Sequence, residues 1–323
     1  TMKNMLKLKK LNNESGLISI VATLVIMSLL TLIALGFANL ANREQRQALD
    51  QQLNTQAFYA AESGINDVIH GGSGGCSSPV PLGSDPTVSA SCVLVNDQLE
   101  KLDYSSVEDG KSTVVPIQPA GPNPLTELII SWEAVTGGVP INNASCGHNI
   151  LTASDWGNNH PLLRVMLMPS SGGRATIIDK MQTLLLYPSS DTSCSDTYSV
   201  PLPDNYTTKG NFVDGHCDAA GGGTYKCTSK ISNLNIAPTD KFYLRLRPIY
   251  KAAKINIMGK DASNNLVKFV GAQREIDSTG RTSDVLRRLV VHVPLTDNIS
   301  DINYATETTN SLCKRLFVSD TGV

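Results

Sequence analysis

Residues 17–40 read LISIVATLVIMSLLTLIALGFANL and contain no Asp, Glu, Lys, Arg or His; the uncharged run continues to Asn42. At 1.5 Å of rise per residue, about 20 such positions cross the roughly 30 Å hydrocarbon core of a bilayer. A backbone in lipid must close its own hydrogen bonds, so this stretch is predicted to be helical. Ahead of it lies a short basic segment, with Lys3, Lys7, Lys9 and Lys10 opposed only by Glu14. Basic residues beside a first membrane helix stay in the cytoplasm, which puts the N-terminal end inside and the long polar remainder outside. The run exceeds the 7–15 apolar residues of a cleaved secretory signal and is followed by poor cleavage sites, so it is expected to stay on the mature protein.

The remainder fits an exported protein. Charged residues are only 17% of the 323, and the net charge of −2 gives no global field for nucleic acid. All seven cysteines, Cys76, Cys92, Cys146, Cys194, Cys217, Cys227 and Cys313, follow the apolar run. Disulfides persist in oxidising compartments, so this placement suits a head outside the cytoplasm. The odd count leaves at least one thiol unpaired or bonded to another chain. Cys217 and Cys227 are the expected local pair; the other connectivities stay open.

Residues 42–69, NREQRQALDQQLNTQAFYAAESGINDVI, change the pattern. Leu49, Leu53, Ala57, Ala60, Ala61, Ile65 and Val68 recur every three or four positions, one apolar stripe on a continuing helix. Its small residues allow another backbone to approach closely, and Gly71-Gly72 is a helix stop. A helix of about 50 residues would be about 75 Å long.

Glu14-Ser15-Gly16 at the boundary, Leu17 opening the apolar run, and AFYAAESGIND at 57–67 together resemble the N-terminal segment of PilX-type minor pilins of type IV pili. The resemblance covers about the first 70 residues. It implies cleavage after Gly16 by a membrane-embedded prepilin peptidase, with Leu17 as the first mature residue and the apolar helix retained. It also implies packing against other pilins in a filament. Most major pilins carry Glu at the fifth mature position; here it is Val21, which points to a minor or tip subunit. Ala22, Ala34, Gly36 and Ala38 are the small residues expected to permit close helix packing, since association within lipid rests on packing rather than on a hydrophobic drive. A partner along residues 49–68 is the sharpest expectation.

Gly71 to Gly75, GGSGG, is expected to be a flexible join. It also matches the G-x-S-x-G pattern of hydrolases, but that elbow needs a strand before it and a helix after it, so Ser73 is not expected to be a nucleophile. From Pro79 onward short apolar runs alternate with turn residues: 91–96, 113–118, 125–133, 162–168, 181–187, 242–250, 254–258, 266–272 and 285–295. Asp277-Ser278-Thr279-Gly280 reads as a turn between two of them, and residues 189–230 read as a long loop pinned by disulfides.

Other chemistry is sparse. His216, Cys217 and Cys227 fall short of a four-ligand zinc site. Asp261, Asn264 and Asn265, or Asp297, Asp301 and Asn303, have calcium-type donors but not the twelve-residue loop; turn formation is expected, with a structural calcium ion left open and no other cofactor. Arg245, Arg247, Lys251, Lys254, Arg274, Arg281, Arg287 and Arg288 make the C-terminal third locally basic, but acids interleave with them, and nucleic acid is not the expected partner. Asn143, Asn205 and Asn298 open glycosylation-type tripeptides at a frequency chance supplies.

The expected fold is therefore α+β: a long N-terminal helix followed by a β-rich, antiparallel, sandwich-like head. The expected divisions are a leader at 1–16, a helix at 17–70, a linker at 71–78 and a head at 79–323, in one large or two small lobes. The expected function is non-enzymatic: a minor pilin held in the inner membrane as a precursor and displayed at the cell surface once assembled. Its partners would be other pilins, the prepilin peptidase, the membrane before assembly and an unknown surface ligand. An uncleaved single-pass anchor carrying an extracellular binding domain is the alternative, and a hydrolase on a membrane stalk the third class.

Overall fold

The computed structural model describes residues 11–77, 79–83, 85–142, 146–148, 152–171, 180–200, 211–218 and 227–295. Helix α1 (Leu11–Ile69) runs for 59 residues, about 88 Å. Leu and Ala, both strong helix formers, are its commonest residues and no proline interrupts it. It ends where the sequence says: Gly71 takes φ +98°, its N–H bonds the Val68 carbonyl, and the Gly72 N–H bonds the Asp67 carbonyl. That pair of bonds is the Schellman arrangement, which needs a left-handed residue where Gly71 stands.

The strands follow as β1 (Val80–Leu82), β2 (Asp85–Leu99), β3 (Lys101–Val107), β4 (Thr113–Ile117) and β5 (Glu127–Ala134). After the one-turn helix α2 (Ala153–Trp156) come β6 (Leu162–Pro169), β7 (Gln182–Ser189), β8 (Thr197–Ser199), β9 (Asn211–Cys217) and β10 (Cys227–Ser232). The last are β11 (Phe242–Ile249), β12 (Ala253–Lys260), β13 (Leu266–Val267), β14 (Phe269–Thr282) and β15 (Val285–Pro294). A long helix leading into a β-rich head is the architecture the sequence predicts, with one refinement. The larger sheet is mixed, because β7 pairs with β9 and β8 with β10 in parallel.

The chain forms two compact units, each drawn from separated stretches of sequence. One holds residues up to Leu94 together with Asp277–Leu289; the other holds Val95–Ile276 and the residues from Val290 on. In the first unit, α1 lies on strands of the sheet ordered β1-β2-β14-β15. Ala57, Ala60, Ala61, Ile65 and Val68 are buried, as are Val88, Ala90 and Val93 on β2. A β-carbon at Gly64 would stand 2.6 Å from Ser278 Oγ, 2.8 Å from Ala90 Cβ and 2.9 Å from Val93 Cγ2. The helix and sheet meet through small residues.

The second unit is built on an eleven-stranded sheet with main order β13-β12-β5-β10-β9-β7-β6-β11-β4. Ile255 and Ile257 near one end of that order share a single core with Leu244, Leu246, Val115 and Ile117 at the other. The sheet therefore curls over itself, which is how one long sheet buries an apolar face without a helix. Trp132 is fully buried at its centre and donates its indole N–H to the Pro161 carbonyl at 2.9 Å. Disulfide Cys217–Cys227 bridges directly paired residues of β9 and β10, and Cys146–Cys194 ties the segment before α2 to the connection after β7.

Three local expectations are corrected. Asp277-Ser278-Thr279-Gly280 is not a turn: β14 runs straight through it and reverses at Ser283, φ +54°. The small residues are there because the helix backbone passes close by. Residues 189–230 are not one loop, since they contribute β8, β9 and most of β10, with β9 and β10 in the middle of the large sheet. The Gly71–Gly75 join is fastened rather than free, because Gly75 bridges to Val93 and disulfide Cys76–Cys92 closes beside it.

Candidate membrane and filament segment

Helix α1 has two regimes along its length. From Ser19 to Ile69 it is long and apolar enough to cross a membrane. Residues 19–52 are exposed throughout, including Ile20 at 62% and Phe37 at 68%. An uncovered apolar surface of this extent needs lipid or other protein against it. Three hydroxyls in the uncharged part of the stretch turn inward on the helix itself. Thr23 Oγ1 donates to the Ile20 carbonyl at 2.8 Å, Ser28 Oγ to Val25 at 2.8 Å and Thr31 Oγ1 to Met27 at 2.5 Å. Each hydroxyl is satisfied without water, as a segment in hydrocarbon requires.

The predicted stripe divides at this boundary. Leu49 is 55% exposed and Leu53 half-buried, while Ala57, Ala60, Ala61, Ile65 and Val68 lie buried. Their cover is the chain's own sheet, so the lower stripe is occupied and room for a separate partner begins at Leu49. Arg287 adds a polar tie there, its Nε donating to Asn54 Oδ1 at 3.1 Å. The four small residues higher up do not form one stripe. At about 100° per residue, Ala22 and Gly36 fall within about 40° of each other, and Ala34 and Ala38 do the same on another side. A β-carbon at Gly36 would meet nothing within 4 Å. Gly16 and Leu17 are within the first two turns of α1.

Residues 15–66 match the PilX N-terminal family model. The match covers the boundary Gly16, the apolar run and the AFYAAESG turn of α1, and so agrees with the resemblance to PilX-type pilins. It leaves the β-rich head outside. No curated protein and no solved structure matches the chain.

The remaining candidates are mostly spent on the fold. Cys217 and Cys227 bond each other, while His216 Nε2 meets the Cys194 carbonyl at 2.8 Å. Asp261 is saturated: Oδ1 accepts the Ser263 and Asn265 N–H groups, both at 2.9 Å, and Oδ2 accepts Asn123 Nδ2 at 2.8 Å. These bonds, led by the Asn265 N–H, hold its carboxyl below the ordinary aspartate value. A carboxylate filled by N–H donors has little left for calcium. Asp297, Asp301, Asn303, Cys313 and the three glycosylation-type asparagines lie outside the described residues.

Most of the basic residues are likewise engaged by their own chain. Arg274 grips Asp97 at 2.5 and 2.9 Å, and Arg288 grips Asp277 at 2.8 and 2.5 Å. Lys254 meets Glu133 at 3.2 Å, and Arg245 donates to Ser112 Oγ at 3.1 Å. Among the described residues no group of three or more His, Cys, Asp or Glu could hold a metal.

Proposed function

We propose that this protein is a minor pilin of a type IV pilus, cleaved after Gly16 by a prepilin peptidase and retained through its apolar helix. The observation that carries this reading is the division of α1: its lower stripe rests on the chain's own sheet while residues 19–52 stay bare along a PilX-type sequence. Before assembly lipid covers the bare part. After cleavage other pilin helices take lipid's place, and close packing at Ala22, Gly36, Ala34 and Ala38 supplies the attraction, on two sides of the helix rather than one. Two packing sides suit a subunit surrounded by neighbours. Val21, standing where most major pilins have Glu, suits a minor or tip position.

The head needs no catalytic role in this reading. It is displayed outside the cell by a helix whose lower end is locked to a sheet, so pull on the helix reaches the head through packed contacts. Coexpression with and without a prepilin peptidase tests the reading. A mature terminus at Leu17 that disappears in Gly16→Ala supports a pilin; an intact leader under both conditions supports an uncleaved anchor.

A further inference from the structure

The outermost strand of a sheet carries unpaired backbone groups, and folds guard such edges with short strands, proline, charge or cover. Most ends of the two sheets follow that rule. Strands β1 and β8 have three residues each and β13 two, while β4 carries Pro116. Strand β3 pairs with β12 alone among the described strands, and a single side-chain amide covers its middle. Gln273 Oε1 accepts the Asp103 N–H at 2.9 Å, and Gln273 Nε2 donates to the Asp103 carbonyl at 2.7 Å.

Strand β15 departs from it. It ends the four-stranded sheet, and its far side pairs with no described strand. Its sequence, VLRRLVVHVP, has ten residues, about 33 Å of strand, with proline only at the last position. Leu286 and Val290 are 60% and 48% exposed. The two arginines are turned to their own chain rather than set against an incoming strand: Arg287 donates to Asn54 on α1, and Arg288 to Asp277 on β14. Both also stand in the first half of the strand. Leu289, Val290 and Val291 form an apolar centre, and His292 beyond them is bonded to Glu275 at 2.9 Å.

We propose that β15 pairs with β15 of a second copy of this chain, antiparallel, about a two-fold axis at Val290. Each strand fills the other's open hydrogen bonds, and the two four-stranded sheets become one. The charge pattern selects this occupant and this direction. With the axis at Val290, Arg288 falls opposite His292 of the second copy and Arg287 opposite Val293, so no arginine meets an arginine. Parallel pairing in register would set each arginine against its like, which destabilises a strand pair. The contact uses the same surface on both copies and closes at two. The inference goes beyond the pilin reading and stands apart from it, since pairing along β15 requires neither leader cleavage nor a filament.

The test is sedimentation of the full chain in detergent micelles, read beside hydrogen exchange of residues 285–294. The expected result is a monomer–dimer equilibrium, with exchange across 285–294 slowing as the dimer forms. Val290→Lys and Val290→Glu each put like charges at the axis and should weaken the dimer about tenfold, with melting curves unchanged because the site is exposed. An equal mixture of the two variants should dimerise again, since opposite charges then meet. A chain still monomeric at about 100 µM would overturn the proposal. So would a dimer that leaves exchange at 285–294 unchanged, one that persists unweakened in both variants, or a mixture that stays monomeric.

Discussion

Gly280 of β14 lies flush against Ala57 of α1: a β-carbon at Gly280 would overlap the Ala57 carbonyl oxygen and crowd the Ala61 amide. Both of those atoms are backbone, so no rotamer change relieves the overlap. The junction between helix and sheet therefore depends on one missing methyl group in a strand, which is a recognised use of strand glycine.

Gly280→Ala should loosen this junction, with a cost of about 1–3 kcal/mol typical of overpacking. Gly36→Ala, whose added carbon meets nothing in the isolated chain, should leave the same junction unchanged. Hydrogen exchange across residues 57–68 in micelles would separate them, with faster exchange expected in the first variant only.

Both tryptophans, Trp132 and Trp156, belong to the second unit and are buried, so their fluorescence reports that unit alone. Cys217→Ala with Cys227→Ala releases a ten-residue closure between adjacent strands. The fluorescence-detected unfolding should be destabilised by about 2–3 kcal/mol on the chain-entropy account. An unchanged urea midpoint would show that β-pairing alone holds β9 to β10.

Acid should weaken the Asp97–Arg274 pair. The hydrogen bonds from Arg274 hold the Asp97 carboxyl below its ordinary 3.8. A carboxylate depressed in the folded state stabilises the fold above its unfolded value and loses that contribution as pH falls through the folded one. The side chains are 31% and 45% exposed, so solvent screening limits the pair to about 1 kcal/mol. Arg274→Gln should thus melt below the parent at pH 7, with the gap closing as the pH falls well below 3.8. A gap that stays constant with pH would show that Arg274 acts through packing.

Much of this was readable from residue order. An uncharged run followed by a three-and-four stripe specifies the helix, and the Gly71-Gly72 stop marks its end because only glycine readily supplies the conformation Gly71 adopts. Runs such as 242–250 announce their strands by alternation. What escaped was structure made of small residues. In β14, Ser278 and Gly280 resemble a turn because turn residues are small, yet here smallness serves a nearby helix. In β9, Gly215 hides a central strand, and its missing side chain leaves room for the Trp132 ring. In β10 the buried positions are Cys227, Ser229 and Ile231, of which only the last looks apolar. The signal that could have found them is complementarity: an Ala-rich helix face at 57–61 asks for small residues opposite.

Mass spectrometry of the N-terminus of this chain, recovered from sheared surface filaments, tests the central claim most directly. The account predicts a chain beginning at Leu17, with the apolar helix intact. Recovery of the chain with Lys3 to Lys10 still attached, or its absence from filaments while it persists in the membrane, would contradict it.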